Sequence, residues 1–144
     1  MPTFQPETLR QVGCELFEAA GCTTEDARAV TDHLVESNLF GHDSHGAIRF
    51  SEYASALRDG RYQPRATPVV VRENPCTAVV DAQGALGQIG ATFAMNLAID
   101  KAREYGTSTV VLRNTSHVGR AGAYPLMAAR SEMMGLAFVN GGRL

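Results

Sequence analysis

The sequence predicts an α/β protein of the α+β type, with a helical unit over residues 1–62 and a sheet-and-helix unit over residues 63–144. Three observations carry this. Apolar residues recur at helical spacing through the N-terminal positions, interrupted at Gly21, Gly41 and Gly60. Pro64 and Pro68 then bracket a polar connector. Beyond them, short β-branched runs alternate with longer amphipathic stretches.

Each element has its own signal. Pro6 suits a first helical turn, and Leu9, Val12, Leu16 and Phe17 form a stripe ending near Gly21. Thr23-Thr24-Glu25-Asp26 reads as a capped start for a second helix. That helix carries Ala27, Val30 and Leu34 on one face, runs to about Leu39 and is stopped by Gly41. A third helix is expected from about His45 to Asp59, with Asp43 or Ser44 as its cap and Gly60 as its stop. Val69-Val70-Val71 and Thr77-Ala78-Val79-Val80 read as strands joined by a turn at Asn74-Pro75. Ala82 to Gly87 is a loop into a long helix from about Gln88 to Tyr105, lined by Ile89, Phe93 and Leu97 and closed by Gly106. Thr109-Val110-Val111-Leu112 has the composition of a buried strand, and a polar loop spans Arg113 to Gly119. A shorter helix covers about Ala121 to Arg130, and Gly135-Leu136-Ala137-Phe138-Val139 is expected to be a last strand.

Composition excludes several function classes. At 44% apolar and 19% charged residues the chain is globular, and 144 residues can bury about two-thirds of the unfolded surface. A net charge of −2 with no basic run argues against nucleic acid as a partner. No apolar stretch reaches membrane-spanning length, and Met1 to Pro6 lacks the pattern of a secretory signal. Cys14, Cys22 and Cys76 make no C-x-x-C pair, and their odd number suits reduced thiols in a cytoplasm. The expectation is therefore a cytoplasmic protein without a membrane partner.

Chemistry concentrates in Gly41-His42-Asp43-Ser44-His45-Gly46-Ala47-Ile48-Arg49. If the third helix begins at His45, Arg49 and Tyr53 follow at i+4 and i+8 on one face. The unpaired N–H groups of the helix start favour an anion and disfavour a cation, which suits His45 as a proton acceptor. Arg49 offers a two-pronged fork to a small carboxylate. A capped helix start with no ligand accounts for the same residues equally well.

Other patterns are weaker. Gly84, Gly87 and Gly90 follow a strand and precede a helix, but their spacing is G-x-x-G-x-x-G and no acidic residue ends a strand about 20 positions on. Glycines shaping a turn fit better than a dinucleotide fingerprint. Ser44 lacks the glycine two positions earlier that a nucleophile elbow needs, and adjacent residues at a helix start rarely face each other. His42 and His45, with His33 and His117, could ligate a divalent metal, but His42 and His45 diverge if the helix begins between them. Asn114-Thr115-Ser116-His117-Val118-Gly119 follows a strand, where α/β proteins present polar groups to ligands. His33, in mid-helix, is assigned no role.

Gly41-His42-Asp43-Ser44-His45-Gly46, Val80-Asp81 through Gly87-Gln88, and Asn114 through Gly119 together resemble the malate/L-lactate dehydrogenase family of NAD(P)-dependent oxidoreductases. The likeness covers nearly the whole chain and is weakest at Gly141-Gly142-Arg143-Leu144. It implies a non-Rossmann nicotinamide-binding sheet domain packed on the helical unit, and a homodimer. It implies hydride transfer between NAD or NADP and a small 2-hydroxy or 2-keto acid, with no metal. It places catalysis at Ser44, His45 and His117 and the substrate carboxylate at Arg49, and the helical spacing adds Tyr53 as a substrate contact. It puts the cofactor against His117, Val118, Gly119, Arg120, Ala121 and Gly122. Chains of that family are more than twice as long, so this one is expected to be a truncated member, incomplete at its C-terminus and reliant on a second copy or further sequence for stability. An acid- or nucleotide-binding module without turnover, and a metal-dependent lyase or hydrolase, are the competing classes.

Overall fold

A computed structural model describes residues 3–140. The Gly141–Leu144 ending and the first two residues lie outside the described residues. Helix α1 (Pro6–Ala19) opens with Pro6 in its first turn, and Gly21 follows it at φ 99°, a backbone conformation that glycine adopts without strain. Helix α2 (Thr24–Leu39) is capped by Thr23, whose hydroxyl accepts the Asp26 N–H at 3.1 Å. Its Ala27, Val30, Thr31, Leu34 and Val35 are all buried. Ala27, Val30, Leu34 and Val35 pack with Phe17, Phe50, Tyr53 and Leu57 into the main core, to which Leu86 belongs as well. The helical and sheet portions thus share one core. Phe17 meets the Phe50 ring edge-on at 5.7 Å and the Tyr53 ring at 6.4 Å.

Between Gly41 and Phe50 the structure departs from the expected helix. Asp43–His45 and Ala47–Arg49 form two separate 3-10 turns, and the α-helix α3 spans only Phe50–Arg58. Gly46 breaks the run, sitting in an extended conformation at φ −99°, ψ −152°. The cause is Asn38. Its side-chain oxygen accepts the Ala47 N–H at 2.7 Å, and its amide donates to Asp43 at 2.6 Å. A Cβ on Gly46 would collide with that amide.

Strand β1 (Val69–Asn74) pairs antiparallel with β2 (Thr77–Asp81), and a register shift lies between Val70 and Arg72. Helix α4 (Gly87–Tyr105) crosses from β2 to β3 (Thr109–Arg113), which runs parallel to β2 with Thr77 opposite Thr109 and Asp81 opposite Arg113. Gly106 closes α4 at φ 82°. A hairpin extended by one parallel strand is the topology here, in keeping with the non-Rossmann expectation. The composition of β3 promised a buried strand, but it alternates, with Val111 54% exposed while Val110 and Leu112 are half-buried. Leu112 lies toward Gly90 of α4, so one sheet face is covered by the helix and the other is open. Helix α5 (Ala123–Arg130) follows. Residues 135–139, expected to form a strand, have no regular secondary structure and pair with no strand among the described residues, and Leu136 and Phe138 are exposed. No helix among the described residues is long and apolar enough to cross a membrane.

Candidate active site

The 3-10 turns bring Ser44, His45 and Arg49 to one place. Ser44 Oγ lies 2.8 Å from His45 Nδ1, contrary to the expectation that neighbours at a helix start point apart. Both residues belong to the single 3-10 turn Asp43–His45. Because no α-helix begins at His45, the helix-end argument for its role has nothing to rest on. Arg49 is held by its Nε, which donates to the Ser44 carbonyl at 2.7 Å, and by a 2.5 Å contact from Nη1 to Glu52. The hydrogen bond to Glu52, more than any other influence, pushes its pKa up and keeps the cation. Part of its fork is therefore already engaged, and Nη2 has no partner among the described residues.

The loop after β3 supplies the second imidazole. His117 and His45 have ring centroids 5.3 Å apart at 31°. Burial, then the nearby Arg49 and His45, push the His117 pKa below the ordinary histidine value. Tyr53 does not line a substrate face as expected. It is fully buried, and its hydroxyl lies 2.6 Å from His117 Nδ1. Its i+4 relation to Arg49 assumed a continuous helix, and the turns before Phe50 rotate it inward. Gln88, at the start of α4, donates to the same hydroxyl at 3.1 Å. Ser116 Oγ accepts the Gly87 N–H at 2.7 Å, fastening the loop to the α4 N-terminus.

The segment expected to border a cofactor is divided. Val118 and Arg120 are buried, whereas Ala121 is half-buried and Gly122 exposed. Arg120 is not a free cation for phosphate. Its side chain is 9% exposed, its guanidinium carbon lies 4.3 Å from the Phe40 ring centroid, and its Nη2 is 3.5 Å from Glu36. Gly119 turns at φ 73°, and a Cβ there would run into His33 and Gln88. His33, given no role from sequence, accepts the Arg120 backbone N–H at 3.0 Å and stacks on Tyr124.

The four histidines do not assemble as a metal centre. His42 is exposed and bonds to the Phe40 carbonyl of its own turn. Among the described residues no group of three or more His, Cys, Asp or Glu is placed to hold an ion. An open depression of about 500 Å³ between α1 and α2 lies elsewhere, and its Arg10 and Arg28 already face Asp32.

Residues 4–144 match the family model for malate/L-lactate dehydrogenase. The chain belongs to this family. It is 37% identical to the L-sulfolactate dehydrogenase of Methanocaldococcus jannaschii over 136 residues, 94% of this chain and 40% of that one. It is 33% identical to hydroxycarboxylate dehydrogenase B of Escherichia coli K12, covering 95% of this chain and 38% of the relative. The solved malate dehydrogenase of Pyrococcus horikoshii superposes with a TM-score of 0.87 at 35% identity, over 90% of this chain and 37% of that one. The chain therefore spans about 40% of the length of the relatives it matches.

Proposed function

We propose that this chain carries the acid–base and carboxylate-holding part of an NAD(P)-dependent 2-hydroxy acid dehydrogenase. The observation that supports this most is the pair of imidazoles, His45 and His117, 5.3 Å apart beside Arg49. Oxidising a 2-hydroxy acid needs a group to take the hydroxyl proton and a cation for the carboxylate. His45, with Ser44 on its Nδ1, takes the proton through its other ring nitrogen. Arg49 holds the carboxylate through the edge that Glu52 and Ser44 leave open. His117 orients the substrate oxygen. A nicotinamide nucleotide, when bound, accepts or delivers the hydride. Small Ala121 and Gly122, a few positions after His117 in the same loop, leave room for such a group, and a Cβ on Gly122 would approach nothing closer than Arg120 Nη1 at 3.5 Å. The residues present fit a nicotinamide edge, but with Arg120 engaged the segment offers no free charge for its phosphates.

The malate, sulfolactate and lactate dehydrogenases among the relatives point to the same substrate class, and a cytoplasmic homodimer of two units, residues 1–62 and 63–144, belongs to this reading. The test is fluorescence titration of the chain with NADH and NADPH, with loss of reduced-nicotinamide absorbance followed on adding oxaloacetate or pyruvate. Keto-acid-dependent oxidation is expected, cut about 10²–10⁴-fold by His45→Gln. Nucleotide binding without turnover would favour a binding module, a reading supported by the share of the relatives' length that the chain spans. Neither binding nor turnover would sink both.

A further inference from the structure

We propose that Tyr53 and Gln88 act as positioning residues that fix the tautomer of His117, so that Nδ1 accepts a hydrogen bond and Nε2 carries the proton. The argument is a count of hydrogens along a buried chain. The Tyr53 oxygen holds one proton and lies within reach of two groups of His117, Nδ1 at 2.6 Å and the backbone carbonyl at 3.3 Å. Gln88 Nε2 donates into that oxygen at 3.1 Å. With an incoming donor from Gln88, the phenol proton is directed at the nearer acceptor, Nδ1. The phenol keeps that proton because Tyr53 is fully buried, and burial pushes its pKa well up. Gln88 is itself buried and cannot exchange its partner for water.

The consequence is directional. A neutral imidazole whose Nδ1 accepts must present Nε2–H, and that nitrogen has no hydrogen-bond partner among the described residues. His117 then meets a ligand as a donor, suited to the oxygen of a keto or hydroxy group, while proton uptake falls to His45. This division of labour rests on the dehydrogenase reading above, but the tautomer does not. The alternative is explicit in the same geometry. The Gln88 oxygen has no partner among the described residues, and a turned amide would aim it at the phenol. Tyr53 would then donate to Gln88, and His117 would donate Nδ1–H to Tyr53.

The experiment is long-range ¹⁵N–¹H correlation on the ¹⁵N-labelled chain at pH 7.5, without nucleotide or keto acid, with His117 assigned by comparison with His117→Gln. The expected result is an unprotonated Nδ1 and a protonated Nε2 in the parent, with the Nδ1 resonance moving in Tyr53→Phe. A protonated Nδ1 in the parent overturns the proposal, and so does an Nδ1 resonance that Tyr53→Phe leaves in place. Should Tyr53→Phe fail to fold, the parent spectrum alone decides the tautomer. Because no substrate is present, failure of the dehydrogenase reading would not change this outcome.

Discussion

Acid should destabilise this fold through His33. Its Nε2 accepts the Arg120 N–H at 3.0 Å, and its ring stacks on Tyr124 with centroids 5.8 Å apart. Burial, then the charge of Arg120, then His117 and His45 push its pKa down to about 4. In the unfolded chain it titrates near the ordinary value of about 6.5. Between these values the unfolded state binds the proton and the folded state does not, so stability falls as pH falls through that window. Above about pH 6.5 neither state is protonated at this residue, and below about 4 both are, so the dependence levels off on both sides. From pH 7 to 4.5 the loss is roughly 2–3 kcal/mol, a sizeable part of a small domain's stability. Urea unfolding at both pH values, run on the parent and on His33→Gln, measures it. Glutamine can still accept the Arg120 N–H through its amide oxygen but does not titrate. His117 is shifted in the same direction and contributes equally to both proteins, so the difference between the two pH curves isolates His33. If His33→Gln loses as much stability in acid as the parent, or His33 titrates near 6.5 in the folded chain, the reasoning fails.

Three further outcomes follow from the geometry. Gly87→Ala would drive a Cβ against the His117 carbonyl and to 2.6 Å from the Ser116 carbonyl oxygen, so it should cost about 1–3 kcal/mol in denaturant unfolding and displace the His117 resonances. Asn38→Ala removes the acceptor of the Ala47 N–H and the donor to Asp43, and a loss of about 1–3 kcal/mol, read as a lower thermal midpoint, is expected; an unchanged midpoint would mean that Asn38 does not hold the turns. Arg49→Lys keeps the charge but not the fork that reaches Ser44 and Glu52 together, so calorimetric binding of a 2-keto acid should weaken by on the order of 1–3 kcal/mol; equal affinity would remove Arg49 as the clamp.

The elements that periodicity and breakers specify were legible. Thr23 as a cap, Gly21 and Gly106 as stops, and the β1–β2 hairpin all stand where their chemistry puts them. The family-bearing segments were legible too, since Ser44, His45 and Arg49 meet in one place and His117 joins them. The failures share a cause. The continuous helix from His45 lost to Asn38, a residue of the preceding helix whose amide does better by binding Asp43 and the Ala47 N–H than by facing water. No spacing rule reports a bond across nine positions. The partners of Tyr53 and Arg120 are not legible in sequence, because side-chain type suggests what a group can bind, whereas direction, set by tertiary packing, decides what it does bind. His33 was passed over for the same reason: its partner is 87 positions away.

The contacts that hold the site converge on α2. His33 and Glu36 lie within one turn of each other and hold opposite ends of Arg120, the backbone N–H and the guanidinium. Two residues on, Asn38 holds the turns that carry His45. One helix thus grips both loops of the candidate site, the one after its own C-terminus and the one after β3. Each imidazole also has a side-chain partner, His45 its neighbour Ser44 and His117 the Tyr53 hydroxyl of α3, a bond that crosses from the sheet unit to the helical one. The 5.3 Å between the two rings is therefore set by a rigid element to which both loops are hydrogen-bonded, rather than by contact between flexible loops. Gly46 and Gly119 complete the arrangement, because any side chain at either would strike the α2 residue doing the gripping, Asn38 in one case and His33 in the other. Both glycines are clearances for α2.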